Sequence, residues 1–136
     1  MPLSRRNFLT HTGLAALASA PLLSFSPARK SGAIKQPFVH QVYVWLKNPQ
    51  SEEDKNKVIE GMRKLSAVKT IRQFHIGVPV PSQRDVVDSS YTLSWLVLFD
   101  SKQDEEAYQV DPIHLEFVKT CSPYWNKVVV HDSVRV

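Results

Sequence analysis

Cys121 is the only cysteine in 136 residues, so no intrachain disulfide can form and the fold has to rest on its hydrophobic core. Glycine is sparse at four residues, and none of them builds a Gly-rich phosphate loop, which removes the common backbone cradle for nucleotides. No Ser-His-Asp spacing and no aromatic-basic array is present either. Acidic side chains are missing from the first 36 residues, which carry Arg5, Arg6, Arg29, Lys30 and Lys35. The remainder holds twelve basic and thirteen acidic side chains, so the formal charge of +4 belongs to the N-terminal region. A nearly neutral body without a basic stripe excludes a nucleic-acid partner. The length supports one domain with a single modest core.

What is there begins at the N-terminus. Ser4-Arg5-Arg6-Asn7-Phe8-Leu9-Thr10 resembles the twin-arginine export motif, and the apolar run from Gly13 to Phe25 behind it is too short and too rich in small residues for a membrane span. Residues 1–28 are therefore expected to be a twin-arginine signal region and 29–37 a polar linker. The expected location is periplasmic or secreted, with anchoring if the signal is uncleaved; no membrane contact is expected beyond that signal. Ala18-Ser19-Ala20 has the small-x-small pattern of a cleavage site, but Pro21 follows it, so a site near Ala28 stays open. No cysteine follows the apolar run, which excludes a lipoprotein.

From Phe38 to Leu46 the pattern is two-periodic, with His40, Val42, Val44 and Leu46 on one face and Val39, Gln41, Tyr43 and Trp45 on the other. Both faces are largely apolar, so this strand needs helices on one side and a partner sheet on the other. Ser51 followed by Glu52, Glu53 and Asp54 predicts a helix start, and Val58, Ile59, Met62 and Leu65 recur at helical spacing behind it. Ile71–Val78 and Tyr91–Phe99 alternate as strands, separated by a proline-bearing loop over 79–90. Asp100-Ser101 opens a helix through Tyr108, Pro112 restarts it through His114 and Phe117, and Trp125–Val134 closes the chain as a strand.

The order strand, helix, strand, strand, helix, strand predicts an α+β, ferredoxin-like βαββαβ fold with both helices on one sheet face. Pairing of the first and last strands sets His40 beside Asp132 on that face. The opposite face, with Tyr43, Trp45, Leu96 and Leu98, is too apolar to be left in water, so a homodimer is expected.

The stretch from Tyr108 to Trp125 concentrates the chemistry, with Tyr108, Asp111, His114 and Phe117 in its first ten residues. Together with Phe38–Leu46, the Phe99-Asp100-Ser101 corner, Ala107-Tyr108, Pro112-Ile113-His114 and the terminal His131-Asp132, it resembles the stress-responsive A/B barrel (Dabb) family over residues 38–136. The resemblance implies a dimeric α/β barrel, a fold whose members mostly lack an established activity. One branch, a plant polyketide cyclase that forms olivetolic acid, is an enzyme. Similarity to it implies His114 as general acid or base, Tyr108 holding a substrate oxygen, Asp132 orienting an imidazole and His40 lining the same pocket. Phe117 and Trp125 become apolar walls, and Val42, Val44, Val58, Ile59, Met62, Trp95 and Val128 line the remainder. Two departures matter: Asp111 replaces the first histidine of a His-Pro-x-His pattern, and Trp95 intrudes where a smaller residue leaves more room. A small apolar or aromatic ligand fits such a pocket, although the resemblance does not name it.

Aldol-type cyclisation takes a proton from carbon beside a carbonyl and stabilises an oxyanion, which a carboxylate-steered histidine and a tyrosine hydroxyl can do without metal or nucleotide. No cofactor and no metal is therefore expected. A binding protein for such a ligand without turnover, and a structural dimer whose cavity Trp95, Trp125 and Phe117 fill, stand beside this reading. His40 with Asp132 can simply fix strand register, His114 can brace the corner between helices, and Tyr108 can be core. A metal triad of His40, His114 and Asp132 is a further option. His75 and His131 fall on the opposite sheet face, and Cys121 is read as buried beside Phe117.

Overall fold

A strand with apolar side chains on both faces has to run through the middle of a sheet, and β1 (Phe38–Leu46) does so, with neighbours on both sides. The computed structural model describes residues 32–136; the export motif lies outside the described residues. After β1 come α1 (Glu52–Leu65), β2 (Gln73–Gly77), β3 (Leu93–Phe99), α2 (Lys102–Gln109), α3 (Pro112–Cys121), a 3-10 turn (Ser122–Tyr124) and β4 (Trp125–Val134). The sheet order is β2-β3-β1-β4, and every neighbouring pair is antiparallel.

Local chemistry explains where the helices begin. The Ser51 hydroxyl accepts from the Asp54 amide at 3.2 Å, and Glu52, Glu53 and Asp54 occupy the first turn of α1, where the helix dipole favours anions. Ser101 caps α2 in the same way. The residue before a proline is pushed out of helical geometry, and Asp111 is extended, so α2 stops and α3 starts anew at Pro112. The Asp111 carboxylate accepts from the Ile113 amide at 2.8 Å and seals the new start.

The helix-covered face carries the core. Val44, Leu46, Leu93, Trp95, Val97 and Phe99 from the sheet pack with Val58, Met62 and Leu65 of α1, Tyr108 of α2 and Cys121 of α3. Strand limits differ slightly from the sequence pattern: β2 spans Gln73–Gly77 rather than Ile71–Val78, and β3 begins at Leu93 rather than Tyr91. The physical reason is that β2 is an edge strand with one neighbour, and Ile71 is drawn back onto the core after α1.

The opposite face carries Tyr43, Trp45 and Tyr91, with the Tyr43 and Tyr91 rings 4.8 Å apart and Lys127 Nζ 4.6 Å above Trp45. A cleft of about 460 Å³ lies there, bordered also by Asp88, Ser90 and His131. The Trp45 indole donates to Ser90 Oγ at 3.1 Å, so the end of the 79–90 loop lies over this face.

α1 and α3 approach closely at Gly61, where an added Cβ would stand 2.5 Å from Cys121 Sγ and 3.1 Å from a Phe117 ring carbon. Helix propensity alone favours Gly61→Ala by about 1 kcal/mol. Overpacking of a tight core costs about 1–3 kcal/mol, so the net expectation is destabilisation. Urea denaturation should show Gly61→Ala less stable than the parent, with the loss largely recovered when Cys121→Ala is added. A stabilised single variant would contradict this packing.

Candidate functional site

The site is built where the sheet meets the α2–α3 elbow. His40 on β1 and Asp132 on β4 are direct register partners, and His40 Nδ1 donates to Asp132 Oδ1 at 2.7 Å. A carboxylate only accepts, so the bond fixes the proton on Nδ1 and leaves Nε2 as the open nitrogen. On α2, one turn apart, Glu105 and Tyr108 face the same way, and both are buried. Glu105 Oε1 lies 4.0 Å from His40 Nδ1 and accepts from the Gln109 side-chain amide at 2.6 Å. His114 on α3 donates from Nδ1 to the Gln109 carbonyl at 3.0 Å. Its Nε2 therefore carries the lone pair. The Tyr108 ring centroid stands 4.5 Å from that of His114 and 5.7 Å from that of His40.

Burial shapes the proton chemistry. It pushes the His114 pKa below the usual histidine value, against the raising effect of the Gln109 hydrogen bond, and nearby His40 lowers it further. Burial also pushes the Tyr108 phenol well above its ordinary range. The phenol thus stays protonated, with its oxygen accepting from the Trp95 indole at 3.2 Å. At neutral pH the pair offers one neutral imidazole and one neutral hydroxyl.

The polar residues expected from the sequence, His40, Tyr108, His114 and Asp132, do come together on the helix side. The expected walls divide. Val44, Val58, Met62 and Trp95 are only 0–2% exposed and belong to the closed core, Trp95 because its bulk fills the space above β3 and its N–H is spent on Tyr108. Val42, Ile59, Phe117 and Trp125 are partly buried around that core. Val128 is 38% exposed, because β4 is an edge strand whose helix-side valines are left uncovered. The Trp125 indole N–H is buried with no partner among the described residues. His75 and His131 are exposed, paired to Leu96 and Gln41 on the other sheet face.

Glu105 and Gln109 were not singled out from the sequence. The signal was available for Glu105, since it precedes Tyr108 by three residues and shares its helix face. Among the described residues, His40, Glu105 and Asp132 present possible metal-ligand atoms within 4.8 Å of one another; His114 is not in that set.

The lowered His114 pKa has a sign that can be tested. Unfolded histidine titrates at about 6.5, so below that pH and down to the folded value the unfolded state binds more protons. This contribution makes stability fall as pH drops through that window and leaves it unaffected above. Urea midpoints measured from pH 7.5 to 5 should fall less steeply for His114→Gln than for the parent; identical slopes would contradict the burial of this imidazole.

The stress responsive A/B barrel domain model matches residues 38–135. Among solved structures, a protein of Arabidopsis thaliana is 26% identical with a TM-score of 0.63, over 74% of this chain and 96% of that one. A hydroxynitrile lyase from Passiflora edulis is 20% identical with a TM-score of 0.64, covering 74% of this chain and 94% of its own. A dimeric ferredoxin-like protein of unknown function from Thermobifida fusca is 16% identical with a TM-score of 0.61, over 74% and 92% of the respective chains. No curated protein matches the chain. With β1 to β4 in ferredoxin-like order and the family match running from the first strand past the last, the chain belongs to the stress-responsive A/B barrel (Dabb) family.

Proposed function

We propose that the protein is an exported homodimer that takes a small apolar or aromatic molecule beside the α2–α3 elbow and performs acid/base chemistry on it. His114 Nε2 accepts a proton and the Tyr108 hydroxyl steadies an oxygen of the ligand. The observation that supports this most is the pinned His114 tautomer: the Gln109 carbonyl holds the Nδ1 proton, so the basic nitrogen is the other one. The reaction class that suits this pair is proton removal from carbon beside a carbonyl, as in a polyketide-type cyclisation. The unpartnered Trp125 N–H on the helix side adds a donor that a ligand oxygen would satisfy. Dimerisation is supported by the aromatic open face and by a neighbour described as dimeric.

A second reading, a structural dimer with a filled interior, is favoured by one observation: Trp95 and Tyr108 are 2% and 1% exposed and hydrogen-bonded to each other. Native mass spectrometry of protein purified from its exporting host separates the two. The proposal expects a dimer carrying a reproducible extra mass. With the compound so identified, His114→Ala should lower turnover by about two orders of magnitude or more, while Kd changes little. A bare dimer without turnover leaves the structural reading; a monomer sinks the dimer itself.

Export rests on the Arg5-Arg6 pair. Replacing both with lysine should keep the protein in the cytoplasm on cell fractionation, and unchanged export of that variant would remove the twin-arginine assignment.

A further inference from the structure

We infer that His40, Glu105 and Asp132 form a binding site for one divalent cation of the zinc or manganese class, at the seam of β1, β4 and α2. Ligand atoms sharing an ion at bonds of about 2.1 Å stand about 3–4 Å apart. His40 Nδ1 and Glu105 Oε1 are 4.0 Å apart, His40 Nδ1 and Asp132 Oδ1 are 2.7 Å apart, and all three ligand atoms lie within 4.8 Å. Side-chain torsions therefore need only small changes, opening the histidine–aspartate contact by a few tenths of an ångström and drawing the glutamate inward.

The second observation is the state of Glu105. It is 8% exposed, and among the described residues no lysine or arginine forms a salt bridge with it; the neutral His40 imidazole stands 4.0 Å away, beyond hydrogen-bond reach. A buried carboxylate without a cation is costly, and a second carboxylate, Asp132, converges on the same imidazole. A divalent ion supplies the missing charge to both. The Gln109 side-chain amide donates to the same Oε1 at 2.6 Å and fixes the orientation of the carboxylate, as an outer-shell residue does in a metal centre. The Asp132 side chain, 43% exposed, leaves an entry path and room for water ligands. One imidazole and two carboxylates, with no thiolate, suit manganese or zinc rather than copper(I).

Binding has a proton signature. The Nδ1 proton now given to Asp132 has to leave that nitrogen, and the neutral imidazole keeps one proton by carrying it on Nε2 instead. The proton count of the ring is unchanged; its tautomer is reversed. His114 is not a ligand, so this site stands or falls separately from the acid/base reading.

The test uses the full, tag-free chain stripped with chelator, with ZnCl₂ and MnCl₂ as probes in titration calorimetry. The expected result is one ion per chain, weakened about tenfold or more by Glu105→Gln and by Asp132→Asn. Asp132→Asn keeps an acceptor for His40 at a partly exposed position, so it serves as the deciding variant if Glu105→Gln fails to fold. Nitrogen-15 spectra of His40 should pass from the Nδ1–H to the Nε2–H pattern on adding zinc. Cys121→Ser should leave binding intact. Absent binding, affinity indifferent to Asp132→Asn, or an unmoved His40 tautomer overturns the assignment.

Discussion

Everything in this fold answers to β1. Its nine residues put His40, Val44 and Leu46 into the buried layer while Tyr43 and Trp45 stand on the reverse side, so neither face can be given to water without loss. Antiparallel pairing with β3 and β4 satisfies its backbone on both edges. The helices then have one side to cover, and α1, α2 and α3 all contribute to that side. The other side retains an aromatic surface with a cleft in it. Two structural neighbours of the same fold are described as dimeric.

The same strand sets up the polar site. His40 is surrounded by Phe99 and Tyr108 in edge-on contact, a setting in which an unpaired imidazole would be expensive. Asp132 reaches it from β4 and leaves much of its own carboxylate in solvent, so the pair is half core and half surface. Tyr108 and His114 extend this arrangement across the elbow. Neutral groups dominate there because burial disfavours charge on both, lowering one pKa and raising the other. The Passiflora edulis neighbour is a hydroxynitrile lyase of the same fold, but at 20% identity it speaks for the fold alone.

Much of this was legible in the sequence, for physical reasons that can be named. Two-periodic strands, Ser caps with following acids, and Pro112 as a helix start all act locally, so their outcomes are local too. The His40–Asp132 pairing was also readable, because antiparallel register follows from which faces are apolar. The intrusion of Trp95 was readable as well; what could not be read was how fully the interior would close. Trp95 gives its indole proton to Tyr108 and closes volume that a pocket needs, and Val128 lies on an uncovered edge; both depend on the reach of helices across the sheet. Glu105 was missed for a different reason. Acids on a short amphipathic helix are normally solvated, and only its shared face with Tyr108 marks it as inward.

Gln109 ends α2 and grips both halves of the site, its side-chain amide on Glu105 and its main-chain carbonyl on His114. One residue thus acts as a mechanical linkage. A displacement of the end of α2 that lengthens the carbonyl bond to His114 also moves the Cα that carries the amide holding Glu105. Substitution of the Gln109 side chain releases only the glutamate, whereas distortion of the elbow loosens both. The imidazole on α3 and the carboxylate on α2 are therefore tied to one helix end.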